Sequence, residues 1–159
     1  MKTLILTLLA ATIFLQLAMA QIKVYKGTSN YSGDIICNVS DSKIYKKTSS
    51  YSGDIICSIK GNKIYKATSS YSGDIIYTIT DGKVFKGSSS YSSDIVMTIK
   101  DSKIYRGTST YSGDVIASIK DNKVYTGNSS YSGDIQFSID GYATIEEFVA
   151  IWHAVKYCY

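Results

Sequence analysis

From Gln21 to Asp140 the apolar and polar positions follow one pattern that recurs every 20 residues without insertion, giving six units. Such self-similarity marks a repeat architecture, in which a single unit cannot bury its own apolar face and must stack on its neighbours. Each unit carries two short β signals: Lys-Ile-Tyr-Lys, as in Lys43–Lys46, and Asp-Ile-Ile-x-x-Ile, as in Asp74–Ile79. Between them, from one unit to the next, stands a dipeptide: Asp41-Ser42, Gly61-Asn62, Asp81-Gly82, Asp101-Ser102 or Asp121-Asn122. Asp, Asn and Gly tolerate positive φ, so these dipeptides predict two-residue hairpin turns. A turn of that length fixes the register and sets Ile79 opposite Val84 and Ile59 opposite Ile64. Alternation along the second strand predicts an apolar face of Ile35, Cys37 and Val39 and their equivalents. Its middle position varies most, reading Cys37, Cys57, Tyr77, Met97, Ala117 and Phe137. The opposite face, Asn38, Ser58, Thr78, Thr98, Ser118 and Ser138, is predicted to be wet. Ile36, Ile56, Ile76, Val96 and Ile116 are exceptions on it, covered by Tyr45 and its equivalents.

Twelve strands in an open sheet would leave two adhesive edges, and closure removes them. Eight strands make a barrel that side chains can fill, whereas twelve leave a lumen. The chain supplies a filler. Thr144-Ile145-Glu146-Glu147 has the form of a capping box, and the apolar residues from Ile145 to Cys158 circle a helix instead of forming one stripe, the pattern of a buried helix. At roughly 1.5 Å per residue these 15 residues span about 22 Å, close to the roughly 20 Å of a six-residue strand. The expected fold class is therefore mainly β: six 20-residue hairpin repeats in a closed, symmetric 12-stranded barrel, plugged by a C-terminal apolar α-helix. The expected organisation is a signal peptide over 1–20, the barrel over 21–143, and the core helix over 144–159 within the same domain.

The leader reading rests on Lys2, the apolar run Leu4 to Leu17 and the small-x-small site before Gln21. It implies an exported chain, secreted or held in the periplasm or cell envelope, with no transmembrane segment after cleavage near Ala20. Without Lys2 the chain keeps 16 basic and 13 acidic side chains, a net charge of +3. That is too mild to point to nucleic acid. Three cysteines, Cys37, Cys57 and Cys158, leave at least one thiol unpaired in a monomer. Cys37 and Cys57 occupy the same place in adjacent units, about 9.5 Å apart with one strand between them. That exceeds the reach of a disulfide, so buried thiols are expected.

The repeat turns single residues into series. Lys26, Lys46, Lys66, Lys86 and Arg106, ending at Thr126, would form a near-complete basic ring able to hold anionic lipid head groups or acidic glycans. The plainer reading is solubility at a barrel rim. A second basic series, Lys23, Lys43, Lys63, Lys83, Lys103 and Lys123, follows the hairpin turns and is expected in solvent. Tyr31, Tyr51, Tyr71, Tyr91, Tyr111 and Tyr131 would stack on sugars or lie at a lipid interface, or else pack between neighbouring units. Asp34, Asp54, Asp74, Asp94, Asp114 and Asp134 bring one carboxylate per unit, which suits turn structure better than a calcium site. No metal and no cofactor is expected. His153, the sole histidine, lies on the buried helix as a hydrogen-bonded core residue. Sequons at Asn30, Asn38 and Asn128 are unremarkable in so Ser- and Thr-rich a chain.

The Lys-Ile-Tyr-Lys-Gly … Tyr-Ser-Gly-Asp-Ile-Ile repeat, closed by an apolar helix, resembles the bacterial β-flower proteins over Gln21 to the C-terminus. That resemblance implies a shallow symmetric barrel of hairpin petals, and no activity. The architecture is also similar to the Tubby C-terminal fold, a twelve-stranded barrel around an apolar helix, without any shared motif. Tubby-like domains bind phosphoinositide head groups through basic residues. An enzyme is not expected, because a repeat supplies six equal sites and no distinct acid, base and nucleophile. The expected function is a non-enzymatic exported binding module for an anionic lipid or a glycan at the membrane or cell envelope. The alternatives are a structural or protein-interaction envelope protein without a small ligand, and a cell-wall-binding hairpin solenoid. The last class usually carries Gly-Trp pairs, and Trp152 is the only tryptophan here.

Overall fold

The computed structural model describes residues 21–158; the predicted signal peptide over 1–20 lies outside the described residues. Twelve strands follow one another: β1 (Ile22–Lys26), β2 (Ile35–Ser40), β3 (Lys43–Lys46), β4 (Ile55–Lys60), β5 (Lys63–Lys66), β6 (Ile75–Thr80), β7 (Lys83–Lys86), β8 (Ile95–Lys100), β9 (Lys103–Arg106), β10 (Val115–Lys120), β11 (Lys123–Thr126) and β12 (Ile135–Asp140). One helix, α1 (Ile145–Tyr157), ends the described chain. The strands are antiparallel and form a closed barrel in sequence order, with β1 pairing β12.

The hairpin turns set the register. Asp41-Ser42, Asp81-Gly82, Asp101-Ser102 and Asp121-Asn122 have positive φ at both positions, the mirror-image turn whose twist matches the strands it joins. Val39 thereby faces Ile44, Ile59 faces Ile64 and Ile79 faces Val84. The seam repeats this register without a covalent turn: Val24 faces Ile139 and Lys26 faces Phe137, as Ile44 faces Val39 and Lys46 faces Cys37. β1 and β12 thus make a sixth hairpin from the two ends of the barrel, and the chain leaves it at Gly141 (φ +123°).

Across each petal connection the pairing slips. Ile44 faces Cys57 but Tyr45 faces Ile55, so Ile56 is an extra residue in a β-bulge, and the same slip recurs in the other units. A bulge breaks period two, and this corrects the predicted faces. Ile36, Ile56, Ile76 and Ile116 pack against the lumen core, whereas Ile35, Ile55 and Ile75 are buried outside it, beside Tyr25, Tyr45 and Tyr65. The predicted wet face is also largely covered, because the petal loops fold onto it. Asn38 is 1% exposed and donates from Nδ2 to the carbonyls of Lys47 (2.8 Å) and Ser49 (2.9 Å). Thr78 and Thr98 donate to Gly87 and Gly107 in the same way. Ser118 donates to the Ser129 carbonyl, so four of the six loops are tied to the wall by a side chain that would otherwise face water, while the Ser58 hydroxyl is buried without a partner.

The helix threads the lumen. Thr144 accepts from the Glu147 N–H, and the Glu147 carboxylate accepts from the Thr144 N–H, a complete capping box with acidic residues at the positive end of the helix. Phe148, Val149, Ala150, Ile151, Trp152 and Ala154 are buried in the core with the inward residues of every unit. The fit is lopsided: the helix backbone comes closest to β2, β3, β4 and β5. There the wall presents the small residues Cys37 and Cys57, and the Cys57 thiol lies 3.9 Å from the Ala150 carbonyl. Tyr77, Met97 and Phe137 build out the wall elsewhere; Phe137 meets Trp152 at 6.4 Å between ring centroids. The variable position of the repeat is where a regular wall adapts to an irregular plug.

Candidate binding surface

Six petals stand at the end of the barrel where the helix finishes. Each is a loop that leaves a first strand through a residue in the left-handed region: Gly27, Lys47, Ala67, Gly87, Gly107 and Gly127. A 3-10 turn then feeds the next strand, as in Ser52–Asp54. A serine holds the loop in shape. The Ser49 hydroxyl donates to Asp54 Oδ2 at 2.6 Å and accepts from the Tyr51 N–H at 3.1 Å, while the Asp54 N–H donates to the Tyr51 carbonyl. The same staple joins Ser29 to Asp34, Ser69 to Asp74, Ser89 to Asp94, Ser109 to Asp114 and Ser129 to Asp134. The acidic series is therefore petal structure, and no group of metal-ligating side chains converges among the described residues. The partner serine escaped the sequence reading, although Ser and Asp five residues apart recur in every unit.

Held in this way, Tyr31, Tyr51, Tyr71, Tyr91, Tyr111 and Tyr131 are 74–78% exposed. They do not fill gaps between petals. Each is fixed by its backbone and free in its ring, with its N–H committed to the staple. Strand alternation directs Lys26, Lys46, Lys66, Lys86 and Arg106 to the lumen side at the rim, one step past the buried Val24, Ile44, Ile64, Val84 and Ile104. All five are exposed, and Thr126 takes the sixth place. Lys46, Ser49, Tyr51 and Asp54 line one cleft, which Cys158 closes at the helix end. Arg106, Ser109, Tyr111 and Asp114 line its counterpart three units on. A rim base, joined by Lys47 in the first cleft, thus meets one carboxylate, one tyrosine and several hydroxyls in each of these petals. The second basic series flanks the turns; it is half-buried except at Lys83.

Thiols and the histidine, residue types that carry chemistry elsewhere, are placed otherwise. Cys37 and Cys57 are buried free thiols; burial pushes Cys37 up to about 12 and Cys57 higher still, so neither is a nucleophile near neutral pH. Cys158 is exposed; burial of its sulfur raises its pKa while the Lys46 charge pulls the other way. His153 is half-buried, with Nδ1 3.4 Å from the Tyr77 hydroxyl and its ring edge-on to the tyrosine at 5.5 Å. Burial lowers the His153 pKa and pushes Tyr77 up to about 12. Lys156 lies over Trp152 at 5.0 Å and donates to the Gln136 side chain. The Asn38 sequon is buried in the folded chain, whereas Asn128 is on the surface and donates to the Ser112 carbonyl of the neighbouring petal. No helix among the described residues is long and apolar enough to cross a membrane. Compared with known proteins, residues 23–152 match the model of a family described as "6-fold beta flower protein". No curated protein and no solved structure gives a significant match.

Proposed function

The chain belongs to the 6-fold beta flower protein family, and from that premise we propose that it is an exported, non-enzymatic binding module whose petals offer repeated sites to a glycan. The observation that carries the reading is the set of six tyrosines, each 74–78% exposed on a loop stapled by its own serine and aspartate. A tyrosine held open to water forgoes its burial energy and offers a flat apolar face with a polar edge, the surface on which a sugar ring stacks. Rigid petals lower the entropy lost on binding. Across the six petals the bases Lys26, Lys46, Lys47, Lys66, Lys86 and Arg106 are matched in number by the six aspartates, so little net charge is left for an anionic bilayer, and a hydroxyl-rich ligand suits the clefts better. Equal sites around one axis favour a repetitive ligand gripped by avidity. The leader pattern supports export.

A glycan array probed with the mature chain tests the reading. Binding to a repetitive glycan is expected, weakened by about tenfold or more in Tyr51/Tyr71/Tyr91→Ala through lost avidity, with unchanged thermal stability. Flotation with anionic vesicles is the control. If wild type floats and Lys46/Lys66/Lys86→Ser does not, the ligand is a lipid head group. Failure in both arms removes the binding module and leaves a structural or protein-interaction role.

A further inference from the structure

The opposite end of the barrel holds a cavity that the lopsided seat of the helix creates. Because α1 leans on the β2–β5 wall, the lumen is underfilled beside β8, β10 and β12. Val39, Ile79 and Ile139 are buried at the hairpin end of their strands, whereas Ile59, Ile99 and Ile119 are only half-buried; of these, Ile99 and Ile119 stand on the underfilled side. These two line a cavity of about 300 Å³ together with Ile139, Ala143, Ile145 and Phe148. Its rim carries Ser102, Asn122 and Thr144, and no charged side chain lines it. Tyr142 stands at the mouth, 87% exposed.

We propose that this cavity binds a small neutral amphiphile: an aliphatic or aromatic body of medium-chain size bearing one hydroxyl or carbonyl. The volume lies at the small end of ligand sites. Apolar walls with a few convergent polar groups suit such a body, with its polar atom at Ser102 or Asn122. The electrostatics select against an anion. Glu146 and Glu147 occupy the first helical turn beside the cavity, and the Glu147 N–H is already bonded to Thr144. A carboxylate ligand would meet negative charge with no base among the lining residues. Tyr142, otherwise in solvent, would lie over the bound molecule. This site is separate from the petals and independent of the glycan reading.

Trp152 provides the readout. It is the sole tryptophan and lies 6.3 Å, centroid to centroid, from Phe148 in the cavity wall. The mature chain is titrated with 1-octanol and with octanoate, following Trp152 emission and the melting temperature together. A saturable emission change and a stabilisation by 1-octanol are expected, with octanoate weaker by about tenfold or more. Ile119→Phe, which fills the cavity from its half-exposed wall, should abolish the response; Ala143→Leu serves if the first variant does not fold. Tyr142→Ala should weaken binding and leave the fold intact. The absence of both signals with 1-octanol, an equal response to octanoate, or undiminished binding in the filled variants would overturn the proposal.

Discussion

Moving a large residue from one unit to another tests whether the lumen is symmetric or fitted. Cys57 and Phe137 hold the same place in the second and sixth units, and both are fully buried. In Cys57→Phe a ring must enter where the thiol already lies 3.9 Å from the Ala150 carbonyl. The helix backbone cannot yield there without losing its contact with the β2–β5 wall, so overpacking should cost about 1–3 kcal/mol. In Phe137→Cys the partner of Trp152 is lost and a cavity opens, at a cost of about 3 kcal/mol or slightly more. The two sites touch different sides of the helix, so the exchange variant should lose roughly the sum, about 4–6 kcal/mol. That is a large share of the 5–15 kcal/mol expected for a domain. Urea unfolding under reducing conditions measures each cost from the midpoint at constant slope. If the exchange variant unfolds within about 0.5 kcal/mol of wild type, the lumen is a plastic, symmetric space and the fitted-wall argument fails.

Lys47 and Ala67 stand at φ +50° and +45° where the other four units have glycine; Lys47→Gly and Ala67→Gly should each stabilise by up to about 1 kcal/mol in thermal unfolding, since side chains pay for the left-handed region. A thiol reagent at pH 8 should label Cys158 quickly and Cys37 and Cys57 only on unfolding. Above the ordinary thiol value of 9.0 the unfolded chain loses a proton that folded Cys37 keeps until about 12. Its contribution to stability is thus intact below pH about 9 and lost as pH rises toward 12, and Cys37→Ala should show a shallower alkaline decline. Burial lowers the His153 pKa, so the unfolded chain takes up a proton first as pH falls through 6.5. Stability should drop there, and less so in His153→Gln.

The sequence carried the architecture because every unit states the same turn and the same alternation, and because a helix apolar on all sides has no other place in such a chain. Strand count, closure, hairpin register and the plug were all legible in this way. The bulge was not. Ile35 and Ile36 are adjacent isoleucines, and nothing in the residues themselves says which one faces the lumen; the slip between Tyr45 and Ile55 decides it. The covered outer face was hidden for a related reason, since Asn38 reads as a surface residue until the loop carbonyls of Lys47 and Ser49 fold onto it. At the petals the tyrosine and base series could be named, but their exposure depends on the Ser–Asp staple, a contact made across a loop. The cavity at the other end lay beyond reach, because it follows from where the helix leans.

The strands of the barrel need the chain's own tail. Phe148, Val149, Ile151 and Trp152 are buried by the barrel, and at about 1.5–3 kcal/mol each they contribute roughly 6–12 kcal/mol, comparable to the stability of a whole domain. The direct measurement is urea unfolding of a mature chain ending at Ala143, followed by circular dichroism and light scattering. Loss of the cooperative transition, with aggregation, is the outcome this account predicts. A truncated chain that stays monomeric and unfolds at the same urea midpoint as the full one would contradict it.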